Sequence, residues 1–410
     1  MIEWSETHLA FRDMVRRFID AEVKPALEAI EHQGEPPYAV IRKMITTFGL
    51  GELATAELRA SLDREQRAEE AAPKRRGPSP EAAERVALQA ILVTELCRYS
   101  LGIVTAWGVS VGLTAGAIMS RGTRAQKERF VPALLSMQNI GAWAITEPDS
   151  GSDAFGSMKA SARRDGDHYI LNGSKTFITN GPYADTIIFI CKLDDGRPQA
   201  ERRVVSFILD RDTPGLTASK PLRKMGLHGS PTGQLFLDDV RVTRDRLLGE
   251  TEEAPASAGA KDTFTAERTG VAAMALGIIA ECQQLSLEYS QRRIQFGKPI
   301  SQFQLIQLKL ANMEVARMNV QNLVFRQIEL AAAGRRIDLA EASACKLYSA
   351  QAAMQCALEA VQLFGGNGYM AEYRVEQLCR DAKVLQIYAG TDEIQVSQIA
   401  RSLLARHAVT

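Results

Sequence analysis

The sequence predicts a multidomain α+β chain. A helical N-terminal domain occupies residues 1–138, a central β domain 139–250 and a C-terminal four-helix bundle 251–410. Three observations lead there. A chain of 410 residues is too long for one compact domain. Apolar residues recur at helical spacing on either side of residues 141–250, and inside that stretch the period falls to two. After the Pro/Ala/Gly-rich run TEEAPASAGAKD at 251–262, four long helical patterns follow with short links, the signature of an antiparallel bundle.

Composition narrows the function. A hydrophobic fraction of 46% can fill real cores. Zero net charge gives no basis for binding nucleic acid or an anionic membrane surface. Six cysteines are scattered without a CxxC pair and five histidines make no metal-type cluster, so no metal site is expected and reduced thiols in a cytoplasmic protein fit. The N-terminus MIEWSETHLAFRDMVRRF is too charged for a signal peptide, and no long uncharged apolar run is expected to span a membrane.

In chain order, Leu9, Met14, Phe18 and Val23 mark a helix over 4–34, which Gly34 and Pro36-Pro37 end. A second helix runs from Tyr38 to Phe48. Residues 59–85 are charged, carry Pro and Gly, and hold one large apolar residue, Leu62. They are expected to form a mobile surface loop with some helical character. Residues 86–120 are apolar and helical, and Gly122-Thr-Arg-Ala-Gln-Lys127 opens a helix to Leu135. In the β stretch, Tyr169–Leu171 and Ser174–Ile178 flank Asn172-Gly173, which predicts a hairpin with a two-residue turn. Thr186–Cys191, Val204–Leu209 and Leu235–Val242 are further strands. Helices then cover Ala266–Gln291 and Ser301–Ala333, with Gly334 as cap. Asp338 and Glu341 form a capping box for the third, Gly365-Gly366-Asn-Gly368 ends it, and one last helix runs from Glu372.

Two runs between Gly141 and Gly181 carry the chemistry: Ala144-Ile-Thr-Glu-Pro-Asp-Ser-Gly-Ser-Asp153 and Lys175-Thr-Phe-Ile-Thr-Asn-Gly181. Thr146, Ser152 and Thr179 offer small hydroxyls, Gly151 lets backbone N–H groups approach a phosphate, and Phe177 offers a flat surface. Together the runs resemble the flavin seat of the acyl-CoA dehydrogenase family. Three runs nearer the C-terminus extend the resemblance: Arg292-Arg-Ile-Gln-Phe-Gly-Lys-Pro299, Gln362-Leu-Phe-Gly-Gly-Asn-Gly-Tyr369 and Arg380-Asp-Ala-Lys-Val-Leu-Gln-Ile-Tyr-Ala-Gly-Thr-Asp-Glu-Ile394. It covers nearly the whole chain except residues 59–85. Lys224–Thr232 also resembles a family loop, with His228 where Arg is common, and His228 is given no role.

The resemblance implies a barrel-like β domain between helical ones and bound FAD. It assigns Thr146, Ser152, Phe177 and Thr179 to the flavin in one subunit. It assigns Arg293, Phe296, Gln304, Gln362, Gly365, Gly366, Thr391 and Glu393 to flavin contacts that include those made across a subunit interface. Both halves lie on this chain, which implies a homo-oligomer, a homotetramer in this family. The implied reaction is α,β-desaturation of an acyl-CoA thioester in fatty acid β-oxidation, with electrons passed to an electron-transfer flavoprotein. Ser152, Phe264, Arg268, Tyr388 and Gly390 are the implied substrate contacts.

The base needs separate treatment. In many relatives it is the Glu of an Ile-Tyr-Glu-Gly-Thr run. Here Ala389 stands in that run and cannot take a proton. In the isovaleryl and long-chain branches a Glu beside an Arg at the start of the first bundle helix does this work, and Glu267-Arg268 match that pair. Glu267 is the expected base, Arg268 its neighbour, and Ala389 keeps only a backbone N–H for the developing oxyanion. Two other readings share the fold: a flavin oxidase or monooxygenase, and an acyl-CoA-binding relative that has lost its base.

Overall fold

The computed structural model describes residues 3–68, 79–253, 256–335 and 337–407. The N-terminal part is helical: α1 (Glu6–Phe18), α2 (Leu27–His32), α3 (Tyr38–Thr47), α4 (Leu50–Ala68), α5 (Pro80–Cys97), α6 (Leu101–Trp107), α7 (Gly116–Arg121) and α8 (Arg124–Leu135). Pro25 cannot donate an N–H, and the first helix steps through a π turn at Ile19–Val23 and a 3-10 turn at Lys24–Ala26 before resuming as α2. A second π segment, Gly108–Ala115, joins α6 to α7. Thr123 and Gln126 form a reciprocal capping box at the start of α8.

The surface loop expected at 59–85 is corrected over its described part. Residues 59–68 continue α4, and α5 begins at Pro80 with the Ser79 side chain accepting from Ala82 N. Leu62 is buried beside Leu58, one helical turn away, against the Phe130–Leu134 face of α8. Two apolar residues at i, i+4 anchor a helix whose other faces are charged. Residues 69–78 of that expectation lie outside the described residues.

The centre is one curled sheet: β1 (Gly141–Ala144), β2 (Ser161–Asp165), β3 (His168–Thr179), β4 (Thr186–Asp194), β5 (Val204–Asp210), β6 (Leu216–Ala218) and β7 (Thr232–Thr243), in the order β1-β4-β2-β3-β7-β6, with β5 also on β4. β1 and β2 pair in parallel with successive halves of β4. Leu171, Phe189, Phe207, Leu235 and Val240 fill the inside of the curl. On the other face Ile188, Ile190 and Ile208 meet Ile118, Phe130 and Leu134. Strand β4 is therefore buried on both faces, which explains why TIIFICKL shows no alternation.

The Asn172-Gly173 hairpin is also corrected. These residues lie within the continuous strand β3, at a register shift against β7. The turn is Gly166-Asp167, between the paired residues Asp165 and His168. Gly166 supplies the left-handed conformation, at φ +60°. Gly173 serves the bulge instead: its φ is +142°, and a Cβ there would fall 2.7 Å from Ala160 Cβ.

The C-terminal part holds α9 (Ala256–Arg292), a small hairpin of β8 (Ile294–Gln295) and β9 (Lys298–Pro299), α10 (Gln304–Ala332), α11 (Leu339–Phe364), α12 (Val375–Val384) and α13 (Asp392–Arg406). The expected linker 251–262 is shorter, since α9 already begins at Ala256. Asp338 caps α11 by accepting from Glu341 N, but the Glu341 carboxylate turns to Arg326, so the cap is one-sided. The expected last helix is two, α12 and α13, broken where Ala389 and Gly390 take φ of +55° and +86°. Helices of the N-terminal part and the bundle share one continuous core, with Val15, Ile41 and Leu96 in the same cluster as Ile278, Val320, Ala353 and Leu378. Two helical stretches, Leu101–Arg121 and Phe264–Arg292, are long and apolar enough to span a membrane, contrary to expectation; 61% of each apolar window is buried in this core.

The strand assignment makes a testable difference. Gly173→Ala should cost about 2–4 kcal/mol, from the disfavoured φ and the overlap with Ala160. Gly166→Ala has open space and should cost about 1 kcal/mol. Thermal unfolding of both variants checks the order; a reversed order would restore Asn172-Gly173 as the turn.

Candidate active site

The two flavin-seat runs are joined by a buried ion pair. Lys175 Nζ on β3 lies 2.9 Å from Glu147 Oε1, in the loop after β1, and donates to the Ile145 carbonyl at 2.9 Å. Glu147 also accepts from the backbone N–H groups of Lys159 and Ala160. Thr176 N donates to Thr146 O at 2.9 Å. Burial pulls the Lys175 ammonium below its ordinary pKa, and Glu147 opposes that shift. The next residue after Thr176 bulges out of the strand: Phe177 has φ +57° and leaves 68% of its surface exposed. Thr146 and Thr179 are half-buried and Ser152 is exposed. Asn180, fully buried at φ +65°, donates to Ala106 O and Gly141 O and accepts from Tyr38 Oη, so the run is tied to the helical part as well.

Glu267 and Arg268 lie on α9, and the break between α12 and α13 comes to meet them. Arg268 is buried, donates through Nε to Ala389 O at 3.3 Å and through Nη1 to Ser343 Oγ at 3.0 Å, and packs over the Phe264 ring. Gln395 Nε2 donates to Ala389 O at 3.0 Å and to Gly390 O at 2.7 Å. The fully buried Lys346 pairs with Asp392 at 3.2 Å, next to Thr391, whose hydroxyl caps α13. Tyr388 Oη donates to Met274 Sδ at 3.3 Å. Phe264 meets Trp143 edge-on and Phe155 at a tilt of 60°, closing α9 onto the β domain.

The Glu267 carboxyl has no hydrogen-bond partner among the described residues. Desolvation raises its pKa to about 7, against the opposing pull of Arg268 and Lys346. It is half-buried, in dense surroundings with an opening to solvent. Such a group is charged and uncharged in comparable amounts near neutrality, which suits a general base. The Ala389 N–H likewise has no acceptor among the described residues.

The other predicted cofactor residues lie elsewhere. Arg293 follows the end of α9, and Phe296, at φ +50° and 93% exposed, tops the hairpin beyond it. Gln304 begins α10 and is exposed. Gln362, Gly365 and Gly366 end α11, and Tyr289 holds them to α9 by stacking on Phe364 at 4.0 Å and bonding Phe364 O and Asn367. At about 1.5 Å rise per residue, Arg293 lies about 39 Å along α9 from Glu267. The two groups of predicted cofactor residues therefore lie far apart on one chain. Glu393 stays exposed beside Thr391. Sequence reasoning missed Glu147, Lys175, Asn180, Lys346 and Gln395. For Lys346 no local signal exists, since its partner Asp392 is set by how helices cross, and the contacts of Gln395 depend on the left-handed break five and six residues before it.

Comparison with known proteins adds the following. The acyl-CoA dehydrogenase C-terminal domain model matches residues 258–404, the middle domain 142–240 and the N-terminal domain 5–58 and 82–138. An acyl-CoA dehydrogenase of Bacillus subtilis is 36% identical over 400 residues, 98% of either chain. Butyryl-CoA dehydrogenase from Megasphaera elsdenii superposes with a TM-score of 0.83 at 32% identity, covering 98% of this chain and 100% of that one. A chain in a structure described as an electron transferring flavoprotein of Acidaminococcus fermentans does so with a TM-score of 0.85 at 31% identity, covering 98% and 99%.

The raised Glu267 pKa makes a stability prediction. The group favours the folded state most where it is protonated, so its contribution is full below about pH 4.5 and is lost as pH rises through about 7. Glu267→Gln stays neutral and should be more stable than the parent above pH 7, by up to about 2 kcal/mol once partial exposure is discounted. The gap should close toward pH 4.5, as thermal unfolding across that range will reveal.

Proposed function

The chain belongs to the acyl-CoA dehydrogenase family, and on that premise we propose that it desaturates an acyl-CoA thioester between Cα and Cβ with Glu267 as the base. The family is one of FAD-dependent oxidoreductases. The residues here fit that cofactor: an aromatic ring exposed on a bulge, two hydroxyls beside it, and the glycine pair and guanidinium of the other half-site. There a bound FAD would supply the acceptor for the β-hydrogen and its electron pair.

The rest falls to the chain's own residues. Glu267 accepts the α-proton; as a carboxylate freed of hydrogen bonds in a desolvated site, it is a stronger base than one in water. The Ala389 N–H donates to the thioester oxygen as charge develops there, a contact that needs no side chain at 389. Arg268 binds the Ala389 carbonyl and so ties the base's helix to the oxyanion donor. Phe264, Trp143 and Phe155 keep water from the acyl side. The observation that carries this reading is an unpartnered carboxyl with a pKa near 7 placed beside the loop that lacks the usual base. It also weighs against a relative that has lost its base.

Assembly follows from the two half-sites. Leu305, Leu308, Val315 and Met318 leave an exposed apolar face on α10, beside Tyr348 and Leu358 of α11, with Asn319 bonding Tyr348 Oη between the helices. A face of this kind is covered in a stable oligomer. We infer a homotetramer in which Arg293, Phe296, Gln304, Gln362, Gly365 and Gly366 reach the FAD of a neighbouring subunit. An electron-transfer flavoprotein in the cytoplasm is the inferred electron acceptor, in keeping with the description of one structural relative.

Anaerobic mixing with a panel of acyl-CoAs tests the chemistry. The flavin should bleach and reoxidise slowly in air; rapid reoxidation would favour an oxidase. Bleaching should speed up with pH, with an apparent pKa near 7, as Glu267 ionises. Glu267→Gln should bind acyl-CoA yet bleach about 10²–10⁴-fold more slowly. Wild-type bleaching by that variant would remove Glu267 as the base.

The shared cofactor site has its own test. Arg293→Ala should lose FAD and melt at lower temperature, because a ligand held only by the native state stabilises it. Full flavin content with unchanged melting would count against a site that spans subunits.

A further inference from the structure

Gln395 is fully buried on α13 and its amide group makes an unusual pair of contacts. Nε2 donates to two successive carbonyls, Ala389 O at 3.0 Å and Gly390 O at 2.7 Å. Arg268 Nε, from α9, reaches the same Ala389 carbonyl at 3.3 Å. Gly390 admits this approach: a Cβ there would fall 2.8 Å from Gln395 Nε2. The Ala389 carbonyl is thus held from two helices.

That hold fixes more than a carbonyl. Ala389 has φ +55°, and for a residue with a Cβ only the small left-handed helical well is open at that angle. The conformation is unfavourable for alanine and persists where its surroundings impose it. In a helical conformation of either hand, the N–H and C=O of one residue point in opposite directions along the axis. Clamping the Ala389 C=O toward Gln395 and Arg268 therefore turns its N–H away from both. That N–H has no acceptor among the described residues.

We propose that Gln395 is a positioning residue for catalysis, whose two-carbonyl clamp, with Arg268, aims the Ala389 N–H at the thioester oxygen. The proposal rests on the acyl-CoA reading above. It explains why a polar side chain on α13 is wholly buried against this loop. It also accounts for the strained conformation of a residue whose side chain takes no part. Gln395 touches neither substrate nor reacting atoms, and it acts through the peptide that does.

The test uses full-length protein with bound FAD and an acyl-CoA that bleaches the parent. If no acyl-CoA bleaches the parent, the functional reading itself falls, separately from this proposal. Gln395→Met keeps the length and removes both donors; Gln395→Glu keeps the shape and puts a carboxylate against two carbonyls. In either variant the bleaching rate should fall about 10–100-fold, less than for loss of an oxyanion donor, because Arg268 remains. Acyl-CoA affinity should change less than about threefold, since the clamp acts on developing charge. Infrared spectra of the bound enoyl-CoA, labelled at the thioester carbonyl, supply the decisive signal. The parent should shift this band to lower frequency than in solution, and the variants should lose much of the shift. A parent-like rate and band in a variant that retains FAD would overturn the proposal. So would parallel losses of affinity and rate with the band unmoved. If neither variant retains FAD, Gln395 is a folding residue and the assignment falls.

Discussion

The buried contact between Lys175 and Glu147 is the constraint around which the candidate site is built. Its partners come from β3 and from the loop after β1, the two segments that present Thr146, Phe177 and Thr179. Removing two charges from water is costly, and a lone pair of this kind often contributes little net stability. This one is fully hydrogen-bonded. The ammonium also donates to Ile145 O, and the carboxylate accepts two backbone N–H groups at the start of β2. Three chain segments thus share one charge-neutral knot, which leaves the neighbouring Phe177 free to leave the strand without unravelling it. Specific geometry, more than raw stability, is what such a pair provides.

The active-site loop uses a different device. Here the helical path breaks between α12 and α13, and the break is held by Gln395 of α13 itself and by side chains from two other helices, Arg268 of α9 and Lys346 of α11. Lys346 spends most of its charge on Asp392, and Arg268 is turned toward Ala389 and Ser343. Glu267 is left near two cations but bonded to neither, so desolvation outweighs attraction and its pKa rises. A second carboxylate at 389 would have brought like-charge repulsion beside it. With alanine there, the proposed mechanism leaves proton transfer to one carboxyl and the oxyanion contact to the backbone.

The sequence made the three-part fold legible because apolar period is a local property. The two runs proposed as the flavin seat stand out for the same reason: their hydroxyls, aromatic ring and glycines lie within a few residues of each other. Errors came where a local cue competed with tertiary packing. Asn172-Gly173 reads as a turn, yet Gly173 is needed for close approach to Ala160. Residues 59–68 read as loop by charge, yet Leu58 and Leu62 suffice to dock a helix. Ala389 gave no sign of a left-handed conformation, since alanine favours helix, and the break between α12 and α13 was therefore invisible. The Lys175–Glu147 and Arg268–Ala389 contacts could not be found at all from one sequence, because each depends on how separated segments meet; the Gln395–Ala389 contact spans only six residues but rests on the unforeseen helix break.

The length of α9 ties these features together. It starts beside the β domain with the base and ends, about 39 Å away, beside the glycine turn of α11. A rigid helix of that length cannot bring both ends to one cofactor, and under the proposed assembly another copy would complete the site. The exposed apolar face of α10 and α11 is where such a copy can pack, and the exposed Phe296 and Tyr369 at the far end lack cover of their own. On the proposed reading, cofactor binding, assembly and stability would be linked by mass action: each interface formed would complete a flavin site, and each flavin bound would reinforce an interface. The chemistry proposed at Glu267 is local, but the cofactor site proposed to serve it belongs to the oligomer.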